Sequence, residues 1–548
     1  MSTLDWGVFL ATLLGVVLYG LWRGRGNTSA DDYLRAGRSL PWYSVLLGVM
    51  ATQASAITFL SAPGQAFTDG MRFVQYYFGL PLAMIVISVV FIPMFRTVNA
   101  YTAYEFLEQR FDRRTRMTTS ILFLLSRGLS TGISIYAPSI IVATLLDWNI
   151  YATNIVVGGL LLLYTLSGGA RSVAHTQTLM FGIILTSMAV AGVFLVQGFP
   201  NSMTLADALR LSDAAGKLNI ITTRFDLHDK YNIWSGLIGG FFLALSYFGT
   251  DQSQVGRFIT GKNIRESRIG LLVNGIVKIP MQLGILLIGA LLVALYSVMP
   301  SPIFFNEAVA QRVDRIDSSQ ASLLHQKWDA VNAELRRTAA NVLDGKPGAK
   351  IAYRQTFDST TRLRSEYRTF VRSTGVLESN DTNYIFLHFV RTMLPAGLVG
   401  LIFAVVIMAS WGSISAGFHS LATASVVDLR GITNTAADVT AARWHTFLWA
   451  VFGVAMSMLA TQMGSLIEAV NILGSLFYGP ILGIFLVAFL VKKANGTDVF
   501  RGAIAAELIV VACWALNVVS FLWLNVVGAV AVVLYALMSS TYHREPAR

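Results

Sequence analysis

Charged residues are scarce in this chain. Only 13% of its 548 residues are Asp, Glu, Lys or Arg, against about 25% in ordinary soluble domains. Cysteine is nearly absent. The single Cys513 lies in an apolar run, which excludes a disulfide framework and a cysteine-built metal site. The chain also lacks a phosphate-binding loop, a zinc-protease helix and a nucleophile elbow, so no enzyme motif is carried. His175 and His419 stand without metal-ligand spacing. The net charge of +11 does not mark a nucleic-acid surface, because the Lys and Arg residues sit in short loops between apolar stretches.

Apolar residues are what the chain has in excess, at 54%. A helix crossing ~30 Å of hydrocarbon needs about 20 mostly apolar residues. Thirteen segments qualify: 5–23, 39–66, 72–96, 117–146, 151–167, 174–197, 231–257, 266–298, 386–428, 441–460, 466–491, 500–518 and 520–540. The expectation is an all-α membrane protein, one transporter-like domain over 1–548 in contact with lipid. The first segment follows Asp5 and has no small-residue cleavage site after it, so it reads as a retained helix. Basic residues such as Arg35, Arg38, Arg110, Arg113, Arg265, Arg430 and Lys492 fall on one side if the N-terminus is outside and the C-terminus is cytoplasmic. That orientation puts the chain in the cell membrane with 198–230 and 299–385 outside. Segment 301–385 is polar, but Val313, Ile316, Leu323, Leu324, Trp328, Val331 and Leu335 recur at helical spacing. It predicts one or two amphipathic helices on the outer face.

Three spans are interrupted by polar residues. The second carries Thr52-Gln53-Ala54-Ser55 and then Ser61-Ala62-Pro63-Gly64. Backbone leaves helical form at membrane depth only where it is buried in protein or lines a cavity. Carbonyls freed there could hold a hard cation; a tightly packed small-residue interface would use the same residues. The seventh span carries Gly249-Thr250-Asp251-Gln252-Ser253-Gln254. These two spans hold corresponding places in two five-helix halves, and such a pair points to a midplane site between inverted repeats. In the ninth, Ser413, Gly417 and Ser420 share a helix face. No carboxylate cluster accompanies these oxygens, which suits a monovalent ion better than Ca²⁺ or Mg²⁺. Two cations lie deep in spans, Arg127 at ~15 Å and Lys278 at ~18 Å from the helix starts. Groups so placed face a bundle interior and often mark a pathway; a structural pair or a snorkelling side chain is the other reading.

These features together resemble the sodium/solute symporter family, which includes sodium–glucose, proline, iodide, monocarboxylate and sialic acid transporters. The resemblance rests on Asp32-Tyr33-Leu34-Arg35-Ala36-Gly37-Arg38, Thr131-Gly132-Ile133-Ser134-Ile135-Tyr136-Ala137-Pro138, Gly168-Gly169-Ala170-Arg171-Ser172-Val173, Asp251-Gln252-Ser253-Gln254-Val255 and Ser425-Val426-Val427-Asp428-Leu429. It implies a LeuT-type inverted-repeat bundle, with 39–197 and 231–491 as the repeats. It also implies sodium-coupled symport of a small organic solute by alternating access. The sodium ligands would be the carbonyls of Ala51, Ala54 and Ala409 and the hydroxyl of Ser413. Gly412 stands where the family often has a second hydroxyl. Gln177 stands where members with a further cation have Asp, which implies one sodium per cycle. Gln53, Ser55, Tyr77, Arg127, Asp251, Lys278 and Asn471 are the candidate substrate residues. Asp251 is the expected neutraliser of one of the two deep cations; the solute is expected to be an anion such as a carboxylate if the other stays free, or a sugar or polyol if both are paired. A monomer is the expected working unit. The alternative is a sensor that kept the fold without transport. Sensors of this kind carry an appended signalling domain, and this chain shows none after its last span.

Overall fold

The computed structural model describes residues 1–23, 41–53, 55–97, 102–146, 148–167, 170–259, 261–376, 378–430, 436–463 and 465–542. The loop Asp32–Arg38, the pair Gly168–Gly169, residue Ala54 and the side chain of Gln177 lie outside what is described. Among the described residues the regular structure is helical. Eight helices are long and apolar enough to cross a membrane, and a bent pair makes a ninth. Shorter apolar helices at Thr3–Val16, Ile150–Leu163 and Ser235–Thr250 stand where further spans are expected.

In chain order the helices are α1 (Thr3–Arg23), α2 (Trp42–Gln53), α3 (Ala56–Asp69), α4 (Met71–Arg96), α5 (Glu105–Arg110), α6 (Arg113–Leu146), α7 (Ile150–Ser167), α8 (Ala170–Gln197) and α9 (Leu205–Ala214). After them come α10 (Gly240–Thr250), α11 (Gln252–Phe258) and α12 (Ile264–Val298). An insertion follows with α13 (Glu307–Ile316), α14 (Ser318–Leu343) and α15 (Ala349–Ser373), then α16 (Ile385–Met393). The chain ends with α17 (Leu398–Ala424), α18 (Ala436–Ser457), α19 (Leu466–Leu490), α20 (Gly496–Ala515) and α21 (Phe521–Tyr542).

Two departures from the sequence reading are informative. The apolar run 386–428 is not one helix. Leu394 is extended (φ −86°, ψ 147°) ahead of Pro395, and Gly397 takes φ +89°, so the run divides into α16 and α17. Asp5 of α1 then accepts the amide of Gly397 at 2.6 Å, placing a carboxylate at the N-terminus of α17. The insertion holds three helices, where one or two were expected. Val313, Leu324, Trp328 and Leu335 are buried as the spacing requires, but Ile316 and Leu323 are exposed. The insertion has its own apolar cluster, built on Phe304, Val313, Leu324, Trp328 and Tyr367.

The main core runs through the bundle. α12 lies against both α2 and α3, and α17 packs on α6, α1 and α8. Close approach is bought with glycine at the α12–α3 crossing: a Cβ at Gly289 would stand 2.1 Å from the carbonyl oxygen of Pro63. α12 therefore supports the interrupted helix directly from behind.

Candidate functional site

Two helices stop inside the bundle. α2 ends at Gln53 and α3 restarts at Ala56, bent by 60°. Ser55 between them is extended, φ −86° and ψ 176°, and its side chain makes no capping hydrogen bond. The first amides of α3 are thus left without a side-chain partner, and they carry the positive end of the helix dipole. The second stop is at Asp251, φ −75° and ψ 120°, between α10 and α11. This break is served by its own side chain: Asp251 Oδ1 accepts the amide of Ser253 at 2.8 Å and its hydroxyl at 2.6 Å.

A cavity of about 100 Å³ lies beside the first break. Thr52, Gln53 and Ser55 line it from the break, and Ile57 and Thr58 from the start of α3. α4 contributes Tyr76 and Tyr77, α6 contributes Arg127, Thr131 and Ser134, α17 contributes Ser413, and α19 contributes Asn471 and Tyr478. Tyr76 donates its hydroxyl to Asn471 Oδ1 at 3.1 Å. Among the predicted residues, Gln53, Ser55, Tyr77, Arg127, Ser413 and Asn471 are brought together on one cavity.

Asp251 and Lys278 are not on its wall. Asp251 stands behind Arg127, 2.7 Å from its guanidinium, and is further bonded by Tyr478 Oη at 3.3 Å. Arg127 also donates to Ser253 Oγ and lies 5.4 Å above the Tyr247 ring. Lys278 is completely buried, at 0% exposure, and among the described residues its ammonium has no hydrogen-bond partner. It lies 5.7 Å from the centre of the Tyr77 ring, so that one aromatic ring separates it from the cavity. Its helix neighbour one turn on, Gln282, is equally buried and leaves both side-chain polar atoms without partners.

For the expected sodium ligands, Ala51 and Ala409 are buried in α2 and α17, which pack against each other. Gly412 is buried beside Ser413, whose hydroxyl here donates to the Ser410 carbonyl at 3.1 Å. Ala54 is outside the described residues. Among the described residues no group of three or more His, Cys, Asp or Glu could hold a metal. The oxygens near the break are carbonyls and hydroxyls, a donor set that fits a monovalent ion.

The sequence reading missed Tyr76, Thr131, Ser134 and Tyr478 as cavity residues. A signal existed for two of them. Arg127, Thr131 and Ser134 stand at i, i+4 and i+7, a polar stripe on one face of α6.

This geometry has known counterparts. The profile of the Sodium:solute symporter family matches residues 33–324, more than half of the chain. The chain belongs to the sodium:solute symporter family. Over 290 residues the human sodium/iodide cotransporter is 30% identical, a match covering 52% of this chain and 43% of that protein. The sodium/sialic acid symporter NanT of Aliivibrio fischeri is 26% identical over 98% of this chain and 93% of its own length. The sodium-coupled monocarboxylate transporter 1 of Mus musculus is 24% identical over 91% of this chain and 71% of that one. The structure of a substrate-bound, outward-open Na⁺-coupled sialic acid symporter superposes with a TM-score of 0.76 at 20% identity, covering 99% of this chain and 98% of that one. The family member described here therefore shares that LeuT-like fold and is an integral membrane protein. Its relatives are sodium-coupled transporters and not enzymes.

The Arg127–Asp251 pair generates a prediction. Removing one partner of a buried pair leaves an uncompensated charge, at a cost of about 3–5 kcal/mol. Asp251→Asn is expected to lower the thermal midpoint of the purified protein by more than the double variant Arg127→Gln/Asp251→Asn does. Equal or smaller destabilisation by the single variant would show that the pair does not hold the second break.

Proposed function

We propose that the protein carries a small organic anion, a carboxylate, across the cell membrane with one sodium ion per cycle. The observation that carries this reading is the charge balance around the cavity. Arg127 is matched by Asp251. Lys278 is buried without a hydrogen-bond partner, one ring away from the cavity. An ammonium at that depth is costly unless an anion meets it. The uncapped start of α3 at the cavity wall adds positive potential from backbone amides, which is how half-helices in such transporters meet anionic groups. The solutes in the names of the relatives point the same way, being iodide, sialic acid and monocarboxylates.

In this reading the carbonyls of Ala51, Ala54 and Ala409 and the hydroxyl of Ser413 take the sodium ion, close to where Ser413 reaches the cavity wall. Gln177 in place of a carboxylate leaves no second cation site, and the ratio is one. Thirteen spans, an N-terminus outside, repeats at 39–197 and 231–491, and a working monomer complete the proposal.

Two measurements test it. Lys278→Met removes the ammonium and keeps the volume. It is expected to raise the solute concentration for half-maximal uptake at least tenfold, about 1.4 kcal/mol, while the thermal midpoint holds or rises; unchanged uptake ends the anion reading. Ser413→Ala deletes the one ligand oxygen that a side-chain change can reach. A lost contact to a charged group is worth about 1.5–3 kcal/mol, so the sodium concentration for half-maximal uptake should rise roughly 10- to 150-fold. Excess sodium should restore part of the rate. Unaltered sodium dependence at matched surface expression would mean that the ion binds elsewhere.

A further inference from the structure

On α3 the cavity lining ends at Thr58. One turn further along, Ser61 Oγ meets Ser465 Oγ at 3.0 Å and accepts the amide of Ile467 at 3.4 Å, so α3 and the start of α19 are joined. Leu466 of the same joint donates its amide to Asn383 Oδ1 at 3.4 Å. At the next turn, a Cβ on Gly64 would stand 2.0 Å from the Thr382 carbonyl oxygen. The short turn Thr382–Tyr384 is therefore wedged over the α3–α19 joint and shuts it on the side that carries the insertion.

The wedge is held from the insertion. Asp381, at 0% exposure, accepts from Arg364 at 2.6 Å, from Arg368 at 2.7 Å and from the amide of Phe305 at 2.8 Å. The same Arg364 guanidinium lies 4.8 Å from the Phe305 ring and 5.3 Å from the ring of Phe67, which belongs to α3. One planar cation thus touches the wedge, the insertion and the outer half of the interrupted helix. A second strap runs alongside. Lys217 donates to the Thr68 carbonyl at the C-terminal end of α3 and lies 5.4 Å from the Phe357 ring of α15. A cation is favoured at that helix end.

We infer that the insertion 301–385 is a latch: Arg364, fixed by Asp381, holds α3 against α19 and sets how often the cavity opens on the insertion side. Opening there moves Phe67 off the guanidinium and parts Ser61 from Ser465. If opening breaks those contacts, they bias the two-state equilibrium toward the shut state. Arg364 touches neither the cavity nor the sodium ligands. It acts as a positioning residue on a conformational step.

The test uses the whole protein in oriented vesicles, with Cys513→Ser as background and Thr58→Cys as reporter on the cavity wall. An impermeant methanethiosulfonate reagent is added on the insertion side, with no solute present. The outcome is therefore independent of which solute is carried. Arg364→Gln is expected to raise the labelling rate by about fivefold or more. Arg337→Gln, at an exposed position of the same insertion, is expected to leave it unchanged. If Arg364→Gln does not yield a monodisperse protein, Phe67→Leu removes the stacked ring at little loss of volume and carries the same expectation. An unchanged rate, an unlabelled reporter in every variant, or an equal rise in Arg337→Gln overturns the latch.

Discussion

A backbone that leaves helical form inside hydrocarbon exposes amides and carbonyls that water cannot reach. The rest of this structure depends on how its two such places are satisfied. At Asp251 the chain satisfies itself: the carboxylate caps α11 through Ser253 and at the same time neutralises Arg127. At Ser55 the backbone supplies part of the pairing, the Ser55 amide donating to the Gln53 carbonyl and the Thr58 amide to the Ser55 carbonyl, while the Ser55 side chain caps nothing and the start of α3 faces a cavity. The second break is thus capped by a side chain and the first is not. In the proposed function that asymmetry makes the first break the place where an ion or solute gains most.

The two deep cations divide in the same manner. Arg127 is neutralised by Asp251 and also held by Ser253, both through Nη2, and lies over the face of Tyr247, while its buried Nε has no hydrogen-bond partner among the described residues. Among the described residues the Lys278 ammonium has no hydrogen-bond partner and lies 5.7 Å from the centre of the Tyr77 ring, with Gln282 equally unsatisfied one turn away. Buried polar atoms in native proteins nearly all have partners, so a cluster without them points to water or an anion. The support behind it is stiff. α12 carries Lys278 and Gln282, and by the close crossing at Gly289 it also braces α3.

Much of this was legible in the sequence because hydrophobic runs report spans and polar interruptions report breaks. The stretch around Ser55 and the run at Asp251 were visible as polar residues where hydrocarbon demands apolar ones. What could not be read was direction around the helix. Residue count gave Lys278 its depth but not the Tyr77 ring that screens it from the cavity. It gave Arg127 its depth and offered Asp251 to neutralise one of the two deep cations, but not which one, since Asp251 is 124 residues away. The division of 386–428 was marked by Pro395 and Gly397, yet an apolar run of that length hid a break near its N-terminal end. The buried salt bridge of Arg364 and Asp381 had no local signature, because both look like ordinary charges in a polar insertion. Tertiary pairing of that kind is visible only once the helices are packed.

In the proposed function, sodium at the interrupted helix prepares the cavity for an anion. A ligand that binds only the folded state raises its apparent stability. The most direct measurement is the thermal midpoint of the purified protein against a panel of small carboxylates and matched neutral analogues, in sodium chloride and in choline chloride. The account predicts stabilisation by at least one carboxylate in sodium, none by its amide or alcohol analogue, and loss of the effect when sodium is replaced. Stabilisation of equal size in choline, or by neutral sugars alone, would contradict it.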